Sequence, residues 1–122
     1  MNEIKLTDSE KTLMEILWEK EKAFMKEILE AYAAPKPAST TIATLLKRMQ
    51  NKDLVGFKLY GNSREYFPKV AKSDYFKDEM TTMIDRFFNS SVTQFASFFT
   101  SNSKLTQKDL KELRDIIDQQ IK

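Results

Sequence analysis

A mainly α fold carrying one small β-hairpin is predicted by three observations along this 122-residue chain. The first lies in Ser39–Asn51, where Ile42, Leu45, Leu46 and Met49 recur at the i, i+3, i+4, i+7 spacing of a core-facing helix. The second is a pair of strand-like runs, Phe57–Tyr60 and Glu65–Pro68, around Gly61-Asn-Ser-Arg64. Gly-Asn favours a turn because both residues tolerate positive φ. The third is a pair of amphipathic helices ahead of these elements. Two helices, a third with a polar outer face and then a hairpin spell a winged helix-turn-helix in which the hairpin is the wing. The expected organisation is a winged-helix DNA-binding domain over residues 1–70 and a helical dimerisation domain over 71–122.

The first helix is expected to open at Thr7-Asp-Ser-Glu10, a capping box in which the hydroxyl accepts from a free amide and the glutamate reaches back. It should run to about Glu19 and bury Leu13, Met14, Leu17 and Trp18. The second, near Phe24–Tyr32, buries Met25, Ile28, Leu29 and Tyr32. Ala33-Ala-Pro-Lys-Pro37 ends it, because proline lacks an amide donor and restricts the residue before it. The same prolines are expected to launch the third helix, whose first turn tolerates the missing donor. Asn51-Lys-Asp-Leu-Val-Gly56 stops that helix with polar residues and a glycine.

Beyond Val70, Ser73 or Asp74 is the expected cap of a helix reaching about Asn89, with Phe76, Met80, Met83, Ile84 and Phe87 along one side. A short aromatic helix over Ser91–Thr100 carries Val92, Phe95, Phe98 and Phe99. Thr106 caps a last helix bearing Leu110, Leu113, Ile116, Ile117 and Ile121. Six of the nine phenylalanines fall in this stretch, and so short a piece has little interior in which to bury them. A second copy is the expected cover. Packing onto the N-terminal domain and a small apolar ligand are the alternatives.

The outer face of the third helix points to function. Thr40, Thr41, Thr44, Lys47, Arg48 and Asn51 lie there, and Ser39–Asn51 holds no carboxylate. Hydroxyls and an amide suit base edges in a major groove, and cations suit phosphate or guanine. Lys58 and Arg64 would place the wing on the backbone. Net charge is only +2, but it is unevenly spread. Residues 1–35 hold five Lys against eight Asp or Glu, a net of −3. Residues 36–69 hold seven Lys or Arg against Asp53 and Glu65, a net of +5, and the rest is neutral. Positive charge therefore concentrates on the proposed recognition helix and wing.

Composition removes several other classes. Hydrophobic residues make up 41%, enough for a core, in runs far too short to cross a membrane. Met1-Asn-Glu-Ile-Lys-Leu6 lacks the apolar core of a signal peptide. The absence of cysteine excludes disulfides and fits a reducing cytoplasm. Without His or Cys the usual zinc ligands and the commonest general base are missing, so neither a cofactor nor an enzymatic activity is expected.

The ordered set of motifs resembles the BlaI/MecI family of penicillinase and methicillin-resistance repressors. Its anchors are Leu6-Thr-Asp-Ser-Glu10 with Met14 and Trp18, Thr41-Ile-Ala-Thr-Leu-Leu-Lys-Arg48, Leu54-Val-Gly56, Tyr66-Phe-Pro68 and Glu112-Leu-Arg-Asp-Ile-Ile117. The resemblance covers Leu6 to about Ile117 and implies a dimeric winged-helix repressor on a palindromic operator. It also implies a membrane sensor-protease as a partner, which relieves repression by triggering cleavage in the dimerisation region. Inducible members are cut between Asn and Phe, and the best matching bond here is Gln94–Phe95. Copper-responsive relatives carry a cysteine motif that this chain lacks. The rival reading is a winged-helix module that binds another protein and never engages DNA; the charge concentrated on helix and wing favours the repressor.

Overall fold

Helix α1 (Asp8–Lys20) begins at the expected cap: Thr7 Oγ1 accepts from the Glu10 amide at 3.2 Å, and Glu10 Oε1 accepts from the Thr7 amide at 2.9 Å. The computed structural model describes residues 4–121; Met1–Glu3, where the stretch read for a signal peptide starts, and Lys122 lie outside the described residues. Strand β1 (Ala23–Phe24) follows, then α2 (Met25–Ala31), α3 (Ser39–Asn51), β2 (Val55–Tyr60), β3 (Ser63–Pro68), α4 (Lys72–Phe87), α5 (Val92–Asn102) and α6 (Gln107–Gln120). Contacts divide the chain into two units, Met1–Asp78 and Glu79–Lys122.

The first unit is a winged helix. Leu13, Met14 and Leu17 of α1, Ile28 of α2 and Ile42, Leu45, Leu46 and Met49 of α3 form one buried core with Ala23, Val55 and Tyr66 of the sheet. Every apolar position of the α3 stripe is buried, so the helical period alone decides which side of α3 remains in water. Trp18 is half-buried beside this core, with its indole N–H donating to the Val70 carbonyl at 2.8 Å. Its ring lies 5.6 Å from Tyr75, which is why the start of α4 belongs to the first unit.

The sheet has three antiparallel strands in the order β1-β3-β2, whereas the sequence pattern indicated only two. Two-residue β1 joins through Ala23↔Tyr66 and Phe24↔Glu65. β2 and β3 pair from Val55↔Pro68 to Tyr60↔Ser63, leaving Gly61-Asn62 as a two-residue turn with Gly61 at φ 62°. Arg64 therefore sits within β3 rather than in the turn. Gly56 lies on the strand face beside Phe67, where a Cβ would come within 2.8 Å of the ring.

Three capping expectations are corrected. Pro35 and Pro37 precede α3 rather than forming its first turn, because the helix starts at Ser39 with Ala38 as its cap. Gly56 does not stop α3. Asp53 does so, at φ 60°, with the Leu54 amide reaching the Met49 carbonyl (2.9 Å) and the Asp53 amide that of Gln50 (3.0 Å). That pair of bonds is a Schellman ending, in which a short polar side chain tolerates the left-handed position. Ser73 and Asp74 lie inside the first turn of α4, which begins at Lys72.

In the second unit, Ser91 caps α5 by accepting from the Gln94 amide at 3.1 Å, and Thr106 caps α6 in a capping box with Asp109. Phe88 meets Phe95 edge-on at 5.6 Å and Phe98 at 5.6 Å, while Phe95 stacks on Phe99 at 6.0 Å. Neither α5 nor α6 has a buried residue.

Candidate nucleic-acid interface

The exposed side of α3 carries every recognition-helix residue singled out above: Thr40, Thr41, Thr44, Lys47, Arg48 and Asn51 all reach solvent. They do not offer equivalent chemistry. Thr44 Oγ1 donates to the Thr40 carbonyl at 3.0 Å, so its proton is used within the helix and its lone pairs face outward. In that state it suits an amino donor such as adenine N6 or cytosine N4. A groove of about 430 Å³ runs along this side, lined by Thr40, Thr41, Thr44, Leu45 and Arg48 from α3 and by Ser9 from α1. Ser9 was not foreseen as part of this surface, although it lies inside the capping box.

Arg48 is tied to the scaffold. Its Nε donates to Glu10 Oε2 at 3.2 Å, and Lys52 Nζ reaches the same carboxylate at 2.8 and 3.1 Å. Glu10 is fully buried, whereas the side chains of Arg48 and Lys52 keep 50% and 44% of their exposure. Burial raises the Glu10 pKa, but Lys52, the Thr7 amide and Arg48 together outweigh it and hold the carboxyl below its ordinary value. Sequence places Glu10 in the cap and gives no sign of its pairing with Lys52. No local pattern links them, since the partners are 42 positions apart.

These pairings reduce the positive charge free to meet phosphate. Of the seven cations in residues 36–69, Arg48 and Lys52 hold Glu10, Lys69 holds Asp53 at 3.3 Å, and Lys36 donates to the Glu30 and Tyr32 carbonyls behind α2. Among the described residues, Lys47, Lys58 and Arg64 have no carboxylate partner. The +5 of the segment thus overstates the field, yet the three remaining cations all lie on α3 and the wing.

On the wing, cross-strand register puts Lys58 and Arg64 on opposite faces, because Lys58 pairs with Glu65 and Arg64 with Leu59. The Arg64 guanidinium lies 4.3 Å from the centre of the Phe57 ring, and the Lys58 ammonium 5.3 Å from that of Tyr60. Both charges are held by aromatic faces that leave their hydrogen-bond donors open. A second groove, of about 360 Å³, lies between Phe24-Met25-Lys26 and Asn62-Ser63-Arg64 with Tyr66. Lys26 enters the picture only here, since sequence gives no reason to place it beside the wing.

The residues expected to dimerise divide by position. Phe76, Met80, Met83 and Phe87 of α4 are exposed, as are Phe98 and Phe99 of α5 and Ile117 of α6. Phe95, Leu110 and Leu113 are half-buried. Gln94, on one side of the candidate cleavage bond, is exposed in the first turn of α5, and its amide is held by Ser91. No described helix is long and apolar enough to cross a membrane, and no described group of three or more His, Cys, Asp or Glu is placed to hold a metal ion.

A family model described as "Penicillinase repressor" matches residues 6–119. The chain is similar to the penicillinase repressor of Bacillus licheniformis, 24% identical over 115 residues that cover 93% of this chain and 90% of the relative. It is similar to the penicillinase repressor of Staphylococcus aureus, 25% identical over 119 residues, covering 95% and 93%. It also resembles the methicillin resistance regulatory protein MecI of Staphylococcus aureus strain Mu50, 25% identical over 114 residues, covering 93% of each chain.

Proposed function

This chain belongs to the penicillinase repressor family, and on that premise we propose that it is a homodimeric transcriptional repressor that binds a palindromic operator. The observation that carries this reading is the outer side of α3: exposed hydroxyls, an amide and Lys47 lie over a buried apolar stripe, with no carboxylate on the helix. Thr40, Thr41, Thr44 and Asn51 read base edges in the major groove. Lys47 contacts guanine or phosphate, and Lys58 and Arg64 hold the wing on the backbone.

The exposed apolar side chains of α4, α5 and α6 are the surface that a second copy covers. Phe87 keeps 70% of its exposure and Ile117 57%, and groups of this size gain from leaving water. Relief of repression proceeds through cleavage at or near Gln94–Phe95, triggered by a membrane sensor-protease. Because the bond lies in the first turn of α5, that turn opens before a protease reaches it. Cutting there breaks the Phe88–Phe95–Phe99 cluster and leaves α3 untouched.

Selection of duplexes from a random-sequence library by the full-length chain tests the proposal together with sedimentation at micromolar concentration. The expected results are a two-fold symmetric consensus and a mass of two chains. Failure to enrich any duplex would leave a protein-binding module instead, and a single-chain mass would remove the dimer.

A further inference from the structure

Glu10 carries more charge than its local role requires. A glutamine at the same position completes a capping box equally well, and burying a carboxylate incurs a large desolvation cost. What the negative charge matches is the pair of cations at the end of the recognition helix, Arg48 at 3.2 Å and Lys52 at 2.8 Å. The acceptor is fully buried while both donors remain about half exposed, and Arg48 lines the α3 groove.

We propose that Glu10 is a specificity-determining positioning residue: it fixes Arg48 against α1 and withholds positive charge from DNA of any sequence. The inference rests on the DNA-binding reading above. Phosphate contacts strengthen binding to every duplex alike, and each cation engaged steepens the salt dependence by about 0.9 in log–log slope. A repressor is limited by the ratio of operator to non-operator affinity. Two free cations beyond Lys47 at the end of α3 would raise the denominator of that ratio. With Glu10 in place, their combined charge falls from two to one, and the Arg48 guanidinium keeps a set orientation beside Thr44.

The test compares the full-length chain with Glu10→Gln on two probes: the best duplex from library selection and a scrambled duplex of equal length. Glu10→Gln preserves the cap and removes the charge. Affinity for the scrambled duplex is expected to rise, with a salt slope steeper by about 0.9 for each released cation engaged. The operator-to-scrambled ratio is expected to fall at least threefold. A purely structural role lowers both affinities together, and an unchanged ratio and slope in folded Glu10→Gln would overturn the proposal. Lys52→Gln provides the opposite sign and does not depend on that variant folding. It leaves Glu10 to neutralise Arg48 alone, so scrambled-duplex affinity falls and the ratio rises; a lower ratio would equally overturn the inference. If the unaltered chain binds neither probe, the DNA-binding reading fails first and this one with it.

Discussion

Lys47→Gln should reduce the salt dependence of operator binding by an amount the structure sets in advance. Of the seven cations in residues 36–69, three are held by neither a carboxylate nor a backbone carbonyl among the described residues: Lys47, Lys58 and Arg64. Doubled in a dimer, six phosphate contacts give a log–log slope of about −5.4. The substitution removes one contact per chain and makes the slope shallower by about 1.8. Raising salt from about 50 to about 200 mM would then weaken the unaltered protein about 2000-fold and the variant about 150-fold. Fluorescence anisotropy of a labelled operator duplex across that range measures both slopes. If Lys47 instead makes a bidentate base contact, the operator weakens by about 1–3 kcal/mol and a mismatched duplex barely changes. Indistinguishable salt slopes and affinities for variant and parent would refute the placement of α3 on DNA.

Other consequences are independent of the operator. Tyr75 is almost fully buried beside Trp18, so Tyr75→Ala should cost about 3 kcal/mol or more in urea unfolding of the first unit. By the same reasoning, a chain ended after Asp78 should stay folded and one ended after Val70 should be much weaker. Gly61→Ala meets no atom within 4 Å but forces alanine to φ +62°, for a loss of about 1 kcal/mol; Gly61→Asn should lose less, and thermal unfolding ranks the two. The Glu10 carboxyl is held below its ordinary value, so its contribution is fully present above the unfolded value near 4.5 and is lost as pH falls through the lower folded one. Stability followed by urea unfolding below about pH 4.5 should therefore fall less steeply in Glu10→Gln than in the parent.

What sequence reveals in this chain depends on the range of the interaction. The bounds of α3 and its buried stripe follow from a 3.6-residue period carried over almost four turns, and the caps at Thr7 and Thr106 follow from bonds spanning three residues. Strand β1 is two residues long and has no period to detect. The stop of α3 falls at the polar run that sequence indicates, but the residue that makes it is Asp53, in the left-handed geometry usually given to glycine, and not Gly56. The pairing of Glu10 with Lys52 and of Trp18 with the Val70 carbonyl crosses 42 and 52 residues, so neither leaves a mark on the local pattern. That is also why segment charge overstated the DNA-facing field: part of the positive stretch is neutralised by a carboxylate from the acidic one.

The placement of α3 in the major groove is tested most directly by attaching a DNA-cleaving reagent to the helix. The chain has no cysteine, so Ala43→Cys, exposed between Ile42 and Thr44, gives a single labelling point. The account predicts cuts clustered in two symmetric positions on the selected operator, one helical turn or a multiple of it apart, about 10 base pairs per turn. Even cleavage along the duplex, or no cleavage while the labelled protein remains bound, would contradict it.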